Sequence, residues 1–144
     1  HDVMMVDDDT FTNELVNMVI EWTPFKSYFR TFEHPLEALY TLKKLHAANS
    51  ERFPDYILLD LKMPEMDGFD FIREFENQFP ERKKSTSFII ITSSILQNDK
   101  KEALDFESVK GYLIKPIPED YIQTLITEGF LPGKMPGDNH QQGI

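Results

Sequence analysis

Tyr56-Ile57-Leu58-Leu59-Asp60 is an apolar run that ends on a carboxylate. Unbroken apolar character over so short a span marks a strand buried on both faces, because a half-exposed strand alternates and a helix needs a longer repeat. The same shape recurs along the chain. Val3-Met4-Met5-Val6 runs into Asp7-Asp8-Asp9, Phe88 to Ile91 runs into Thr92-Ser93-Ser94, and Tyr112-Leu113-Ile114 runs into Lys115-Pro116. A weaker run, Ser27 to Phe32, mixes polar and aromatic residues and reads as an edge strand.

Helical periodicity fills the intervals. Phe11, Leu15, Met18, Val19 and Trp22 share one helix face, predicted to be the buried one, with Thr10 as its cap. Leu36, Leu39, Leu42 and Leu45 recur behind Pro35, which suits a first turn. Phe69, Ile72, Phe75 and Phe79 mark a third helix stopped by Pro80, and Leu96 to Phe106 a weaker, more polar fourth. Ile117, Tyr121, Ile122, Leu125 and Ile126 mark a fifth, with Pro118 in its first turn. The segment Glu81 to Ser87 reads as a loop. Strand and helix alternating in this way predict an α/β fold, doubly wound about a parallel sheet with helices on both faces. From Gly129 onward the composition turns to glycine, proline and polar residues. We therefore expect one domain over residues 1–128 and an extended tail over residues 129–144.

Composition narrows the function. The formal net charge of −10 sets the surface against a polyanion, so direct nucleic-acid binding is not expected. No apolar run reaches the roughly 20 residues of a membrane span, and no basic stretch followed by an apolar one opens the chain, so neither membrane insertion nor a signal peptide is expected. Cysteine is absent, which removes disulfides and zinc-thiolate sites and fits a reducing compartment, so the expected location is cytoplasmic. His34, His46 and His140 read as surface residues.

Each apolar run ends in a residue with chemistry to offer. In an open parallel sheet the carboxyl ends of the strands lie along one edge, where ligand crevices form. Asp7, Asp8, Asp60, Thr92 and Lys115 should therefore converge. Two like charges ~4 Å apart repel by about 4 kcal/mol at an effective dielectric near 20, so such a cluster calls for proton uptake, a nearby cation or a metal. Lys115 supplies one positive charge, and an oxygen-loving divalent ion such as Mg²⁺ suits the rest. A metal, an amine and a hydroxyl around one carboxylate make a phosphoryl-transfer site in which Asp60 is the nucleophile. On the bland side, Asp7 to Asp9 could simply be a solvated loop capping the first helix, and Tyr112 could be edge packing.

Taken together, Asp7-Asp8, Asp60, Met63-Pro64, Met66-Asp67-Gly68, Thr92-Ser93 and Tyr112 through Pro116 resemble the receiver domains of bacterial two-component response regulators, the chemotaxis regulators among them. The resemblance covers about Val3 to Ile126. It implies a flavodoxin-like sheet of five strands in the order 2-1-3-4-5. It implies Asp8 as a direct metal ligand, Asp7 acting through water, Asp60 as both phosphoacceptor and ligand, and the backbone carbonyl of Lys62 completing a Mg²⁺ site. It also implies Thr92 as a switch hydroxyl, Tyr112 as a switch aromatic, Lys115 as the phosphoryl-binding lysine, and a cis bond before Pro116. The implied partners are a sensor histidine kinase or histidine phosphotransfer protein, a downstream protein target, and a second copy of the chain on phosphorylation. No enzymatic turnover is implied beyond self-phosphorylation and autodephosphorylation.

Two positions depart from the family pattern: Lys62, two residues after Asp60, where the family often has Asn, and Ser94, two after Thr92. A flavin or nucleotide-binding protein of this architecture would need a glycine-rich phosphate loop, and none is present. A metal-dependent phosphatase with an aspartyl nucleophile is the other alternative. Many such enzymes place a second acid where this chain has Lys62.

Overall fold

The structure, a computed structural model, describes residues 1–131. Strands β1 (Val3–Val6), β2 (Phe29–Phe32), β3 (Tyr56–Asp60), β4 (Ser87–Thr92) and β5 (Val109–Ile114) alternate with helices α1 (Thr10–Glu21), α2 (Pro35–Ala47), α3 (Gly68–Gln78), α4 (Gln97–Asp105) and α5 (Tyr121–Glu128). The strands form one parallel sheet in the order β2-β1-β3-β4-β5, as expected. The weakest run is the edge strand β2.

Both faces of the sheet are covered, which is why the central strands carry no polar alternation. Met4, Val6, Ile57, Leu59, Phe88 and Ile90 face one core with Leu39 and Leu42 of α2 and Phe71, Ile72 and Phe75 of α3. Val3, Met5, Leu58, Ile89, Ile91 and Leu113 face the other with Val16 and Ile20 of α1 and Ile122, Leu125 and Ile126 of α5. In the first core the Phe75 ring lies 5.2 Å from Phe79 and 5.1 Å from Phe88, at tilted and edge-on angles that aromatic pairs favour.

Several expectations need correction. The stripe predicted as the buried side of α1 faces outward: Phe11, Leu15 and Met18 are exposed, Val19 is at the margin, and Trp22 is 93% exposed. The buried residues are Asn13, Val16 and Ile20. The start of the helix sets this rotation. Asn13 Nδ2 donates to the Asp7 carbonyl at 2.7 Å, which turns the Asn13 side of α1 toward the sheet. Asp9, not Thr10, is the cap, since its carboxylate accepts from the Phe11 and Thr12 amides.

In α2 a three-residue spacing slips about 60° backward per step, so the leucines cannot all share a face. Leu39 and Leu42 are buried with Ala38, and Leu36 is exposed. Pro118 precedes α5 and accepts the Tyr121 amide in a turn, rather than lying in the helix. β5 begins at Val109, earlier than the apolar run, because exposed Lys110 and buried Gly111 interrupt its pattern. The segment read as a loop after Pro80 contains a short 3-10 turn, Pro80–Arg82, and Ser87 belongs to β4. His46 is half-buried between the Phe53 and Phe79 rings and accepts from Arg82 Nε, so it is not a simple surface residue. His34 is exposed, as expected. Within the expected tail, the Phe130 amide donates to the Tyr56 hydroxyl at 2.8 Å. The rest of the tail from residue 132, His140 included, lies outside the described residues.

This burial pattern sets up a contrast. Phe75→Ala is expected to destabilise the fold by about 3–5 kcal/mol through lost burial and a residual cavity. Trp22→Ala should change stability by less than about 0.5 kcal/mol. Urea unfolding of both variants checks this. Trp22 is also the single tryptophan, so native fluorescence should already show the red-shifted emission of a hydrated indole.

Candidate functional site

Strand register builds the site. Val6 lies opposite Leu59, Asp60 opposite Ile91, and Thr92 opposite Ile114. Asp7, Asp60, Thr92 and Lys115 therefore leave the sheet at one rim within two residues of the same level. Two backbone bonds hold that rim: the Asp7 amide donates to the Phe32 carbonyl at 3.0 Å and the Lys115 amide to the Thr92 carbonyl at 2.8 Å. The peptide bond between Lys115 and Pro116 is cis, as the resemblance implied.

Asp7, Asp8 and Asp60 each offer a carboxylate oxygen within 4.8 Å of the others. Asp7 and Thr92 are fully buried, Asp60 is 5% exposed, and Asp8 is open to solvent. Lys115 Nζ reaches in to 2.6 Å from Asp7 Oδ2 and 3.8 Å from Asp60 Oδ2. Asp7 Oδ1 accepts the Asp9 amide at 3.0 Å, whereas its buried Oδ2 receives no oriented hydrogen bond despite the nearby ammonium. Burial, and then the Asp7 charge, push the Asp60 carboxyl up to about 7, against the pull of Lys115 and the Lys62 backbone amide.

The loop after β3 folds back tightly over the strand end. The Gly68 amide donates to the Leu61 carbonyl at 2.9 Å, and a Cβ at Gly68 would lie 2.8 Å from the Asp60 carbonyl oxygen, which only glycine accommodates. Asp67 then caps α3, accepting the Asp70 amide at 2.8 Å. Met66-Asp67-Gly68 is thus the turn into α3, as expected.

The donor set fits a hard divalent cation. It consists of carboxylate oxygens, it carries more negative charge than Lys115 offsets, and it presents a buried oxygen with no oriented partner. Thr92 and Tyr112 lie beside this rim. The Thr92 hydroxyl accepts the Ser94 amide at 3.1 Å. Tyr112 is buried with an unpartnered hydroxyl, and burial and the nearby Asp99 charge raise its pKa.

Sequence reasoning missed two residues. Asn13, described above, anchors α1 to the strand end carrying Asp7. Asp99 accepts from Ser94 Oγ at 2.5 Å and lies 3.5 Å from Lys62 Nζ. Neither carries a motif, and each is recognised only by what stands across from it in space.

A family model for the response regulator receiver domain matches residues 3–127. Among curated proteins, the sensor histidine kinase CheAY of Helicobacter pylori is 27% identical over 94% of this chain and 15% of its own length. A protein-glutamate methylesterase/protein-glutamine glutaminase of Treponema denticola is 30% identical over 72% of this chain and 24% of its own. The chain thus spans less than a quarter of the length of either relative. Among solved structures, a two-component response regulator from Cytophaga hutchinsonii superposes with a TM-score of 0.73 at 25% identity, covering 89% of this chain and 95% of that one. The chemotaxis protein CheY4 of Vibrio cholerae shares the fold with a TM-score of 0.66 at 23% identity, covering 90% and 98%.

The raised Asp60 pKa makes stability depend on pH. The unfolded chain releases this proton near 3.8 and the folded chain near 7, so the folded state binds more protons between those values. The Asp60 contribution to stability is therefore fully present below 3.8 and is lost as pH rises through about 7. In metal-free buffer, urea unfolding should show wild type losing on the order of 2–3 kcal/mol more than Asp60→Asn between pH 5 and pH 8. Mg²⁺ should restore the loss in wild type alone.

Proposed function

The chain belongs to the response regulator receiver domain family, and on that premise we propose that Asp60 accepts a phosphoryl group, with residues 1–128 as the switching unit. The observation that carries this reading is the meeting of Asp7, Asp8 and Asp60 with Lys115 at one rim of the sheet.

Asp8, Asp60, the Lys62 backbone carbonyl, and Asp7 through water would hold Mg²⁺, which when bound neutralises the acids and the incoming phosphoryl oxygens. The chain's own groups do the rest. An Asp60 carboxylate oxygen bonds to phosphorus as the bond from phosphorus to the donor breaks. When the donor is a phosphohistidine, the electron pair returns to the imidazole nitrogen, which takes up a proton. Lys115 faces Asp60 and meets the negative charge of the phosphoryl oxygens. The Thr92 hydroxyl, now accepting from the Ser94 amide, turns to donate to the phosphoryl group. That vacates space beside β4, into which Tyr112 moves, and the face built from α4 and β5 changes its affinity for a partner.

The donor is a sensor histidine kinase or a histidine phosphotransfer protein, and the output is a downstream protein or a second copy of the chain. The acidic surface argues against direct nucleic-acid binding. No helix of the described residues is long and apolar enough to cross a membrane. The site of action proposed is the cytoplasm, which the partners proposed call for and the cysteine-free composition fits. Gain and loss of the phosphoryl group on Asp60 are the whole of the chemistry assigned.

Incubation with acetyl phosphate and Mg²⁺ tests the reading. Wild type should gain the mass of one phosphoryl group and Asp60→Asn none; equal labelling of the two removes Asp60 as acceptor. Lys115→Ala should still label, about tenfold or more slowly, while its amide chemical shifts stay near those of the unlabelled protein. A full set of shift changes in that variant would show that Lys115 does not transmit the response.

A further inference from the structure

Asp99 lies in the first turn of α4, a helix whose only buried residue is Ala103. Yet the Asp99 side chain is only 14% exposed. It sinks between two loops because it has a partner on each: Ser94 Oγ donates to it at 2.5 Å, and Lys62 Nζ stands 3.5 Å away. Ser94 Oγ also accepts the Leu96 amide at 3.2 Å, so the single hydroxyl proton of Ser94 is committed to Asp99. One carboxylate thus ties the loop after β3 to the loop after β4, through residues that stand two positions beyond Asp60 and two beyond Thr92.

With Asp60 as the acceptor proposed above, this tie bears on how the acyl phosphate is lost. In hydrolysis a water oxygen bonds to phosphorus as the bond from phosphorus to the Asp60 oxygen breaks. The electron pair returns to the Asp60 carboxylate, inorganic phosphate leaves, and the surplus proton of the water passes to phosphate or solvent. In-line displacement places the water opposite Asp60. Asp60 is almost buried at the end of β3, so the water approaches from beyond the rim, where the loops carrying Lys62 and Ser94 leave β3 and β4. A free hydroxyl there would orient that water, and a free ammonium would meet the charge on the equatorial oxygens.

We propose that Asp99 is a positioning residue that keeps Lys62 and Ser94 engaged with itself, and so prolongs the life of the phosphoryl group on Asp60. The test labels the protein with acetyl phosphate and Mg²⁺, removes the donor, and follows the loss of added mass together with the melting temperature. Asp99→Ala should lose its phosphoryl group about 3- to 10-fold faster than wild type, a change of roughly 1 kcal/mol in the barrier. Asp99→Asn keeps an acceptor for Ser94 but no charge for Lys62, and should fall between them. Adding Lys62→Ala and Ser94→Ala to Asp99→Ala should return the rate toward wild type. A purely structural Asp99 would lower the melting temperature and leave the rate unmoved. Wild-type or slower loss in Asp99→Asn and Asp99→Ala overturns the proposal. Failure of wild type to label at all would instead remove Asp60 as acceptor, and this inference with it.

Discussion

The mutual repulsion of Asp7, Asp8 and Asp60 is the constraint on which the site is built. Three carboxylates share a space within 4.8 Å, two of them almost wholly out of water, with Lys115 as the cation that reaches Asp7 and Asp60. Left alone, that arrangement raises the Asp60 pKa to about 7, because burial and the Asp7 charge oppose ionisation more than Lys115 favours it. The fold must hold these groups together against their own field. It does so with the backbone, by carrying Asp7 and Asp60 at the ends of neighbouring buried strands whose pairing sets them side by side.

Packing and charge are therefore linked. The two cores grip the central strands from opposite sides, and the rigidity of that grip fixes the rim to which Asp7, Asp60, Thr92 and Lys115 belong. Beyond the rim, the loop after β3 buries Leu61 and Met63 but leaves Lys62 exposed. Lys62, Ser94 and Asp99 meet there through side chains alone, so their arrangement can respond to a change of charge on Asp60 without disturbing the sheet.

Membership of the receiver family joins this geometry to a mode of action. The chain matches a small part of a much longer histidine kinase and of a longer methylesterase. The apolar stripe of α1 faces outward, while the carboxylate rim stays inside one unit.

What could be read along the chain was whatever depends on near neighbours or on an unambiguous period. The short apolar runs specified buried strands, the residue following each run specified the rim, and Pro80 and Asp67-Gly68 specified where α3 stops and starts. Those signals survive folding because a strand buried on both faces has no freedom in which side it presents. The rotation of α1 was different. Its apolar stripe and its buried stripe are both chemically acceptable, and the choice came from a bond between Asn13 and the Asp7 carbonyl six residues away. Lys110 and Gly111 hid the first half of β5 because Lys110 is the extra residue at a register shift and Gly111, though paired with Ile89, has no strand propensity of its own. Asp99 had no signal at all, since its partners Lys62 and Ser94 lie on other loops and the three become neighbours only when the sheet brings those loops side by side.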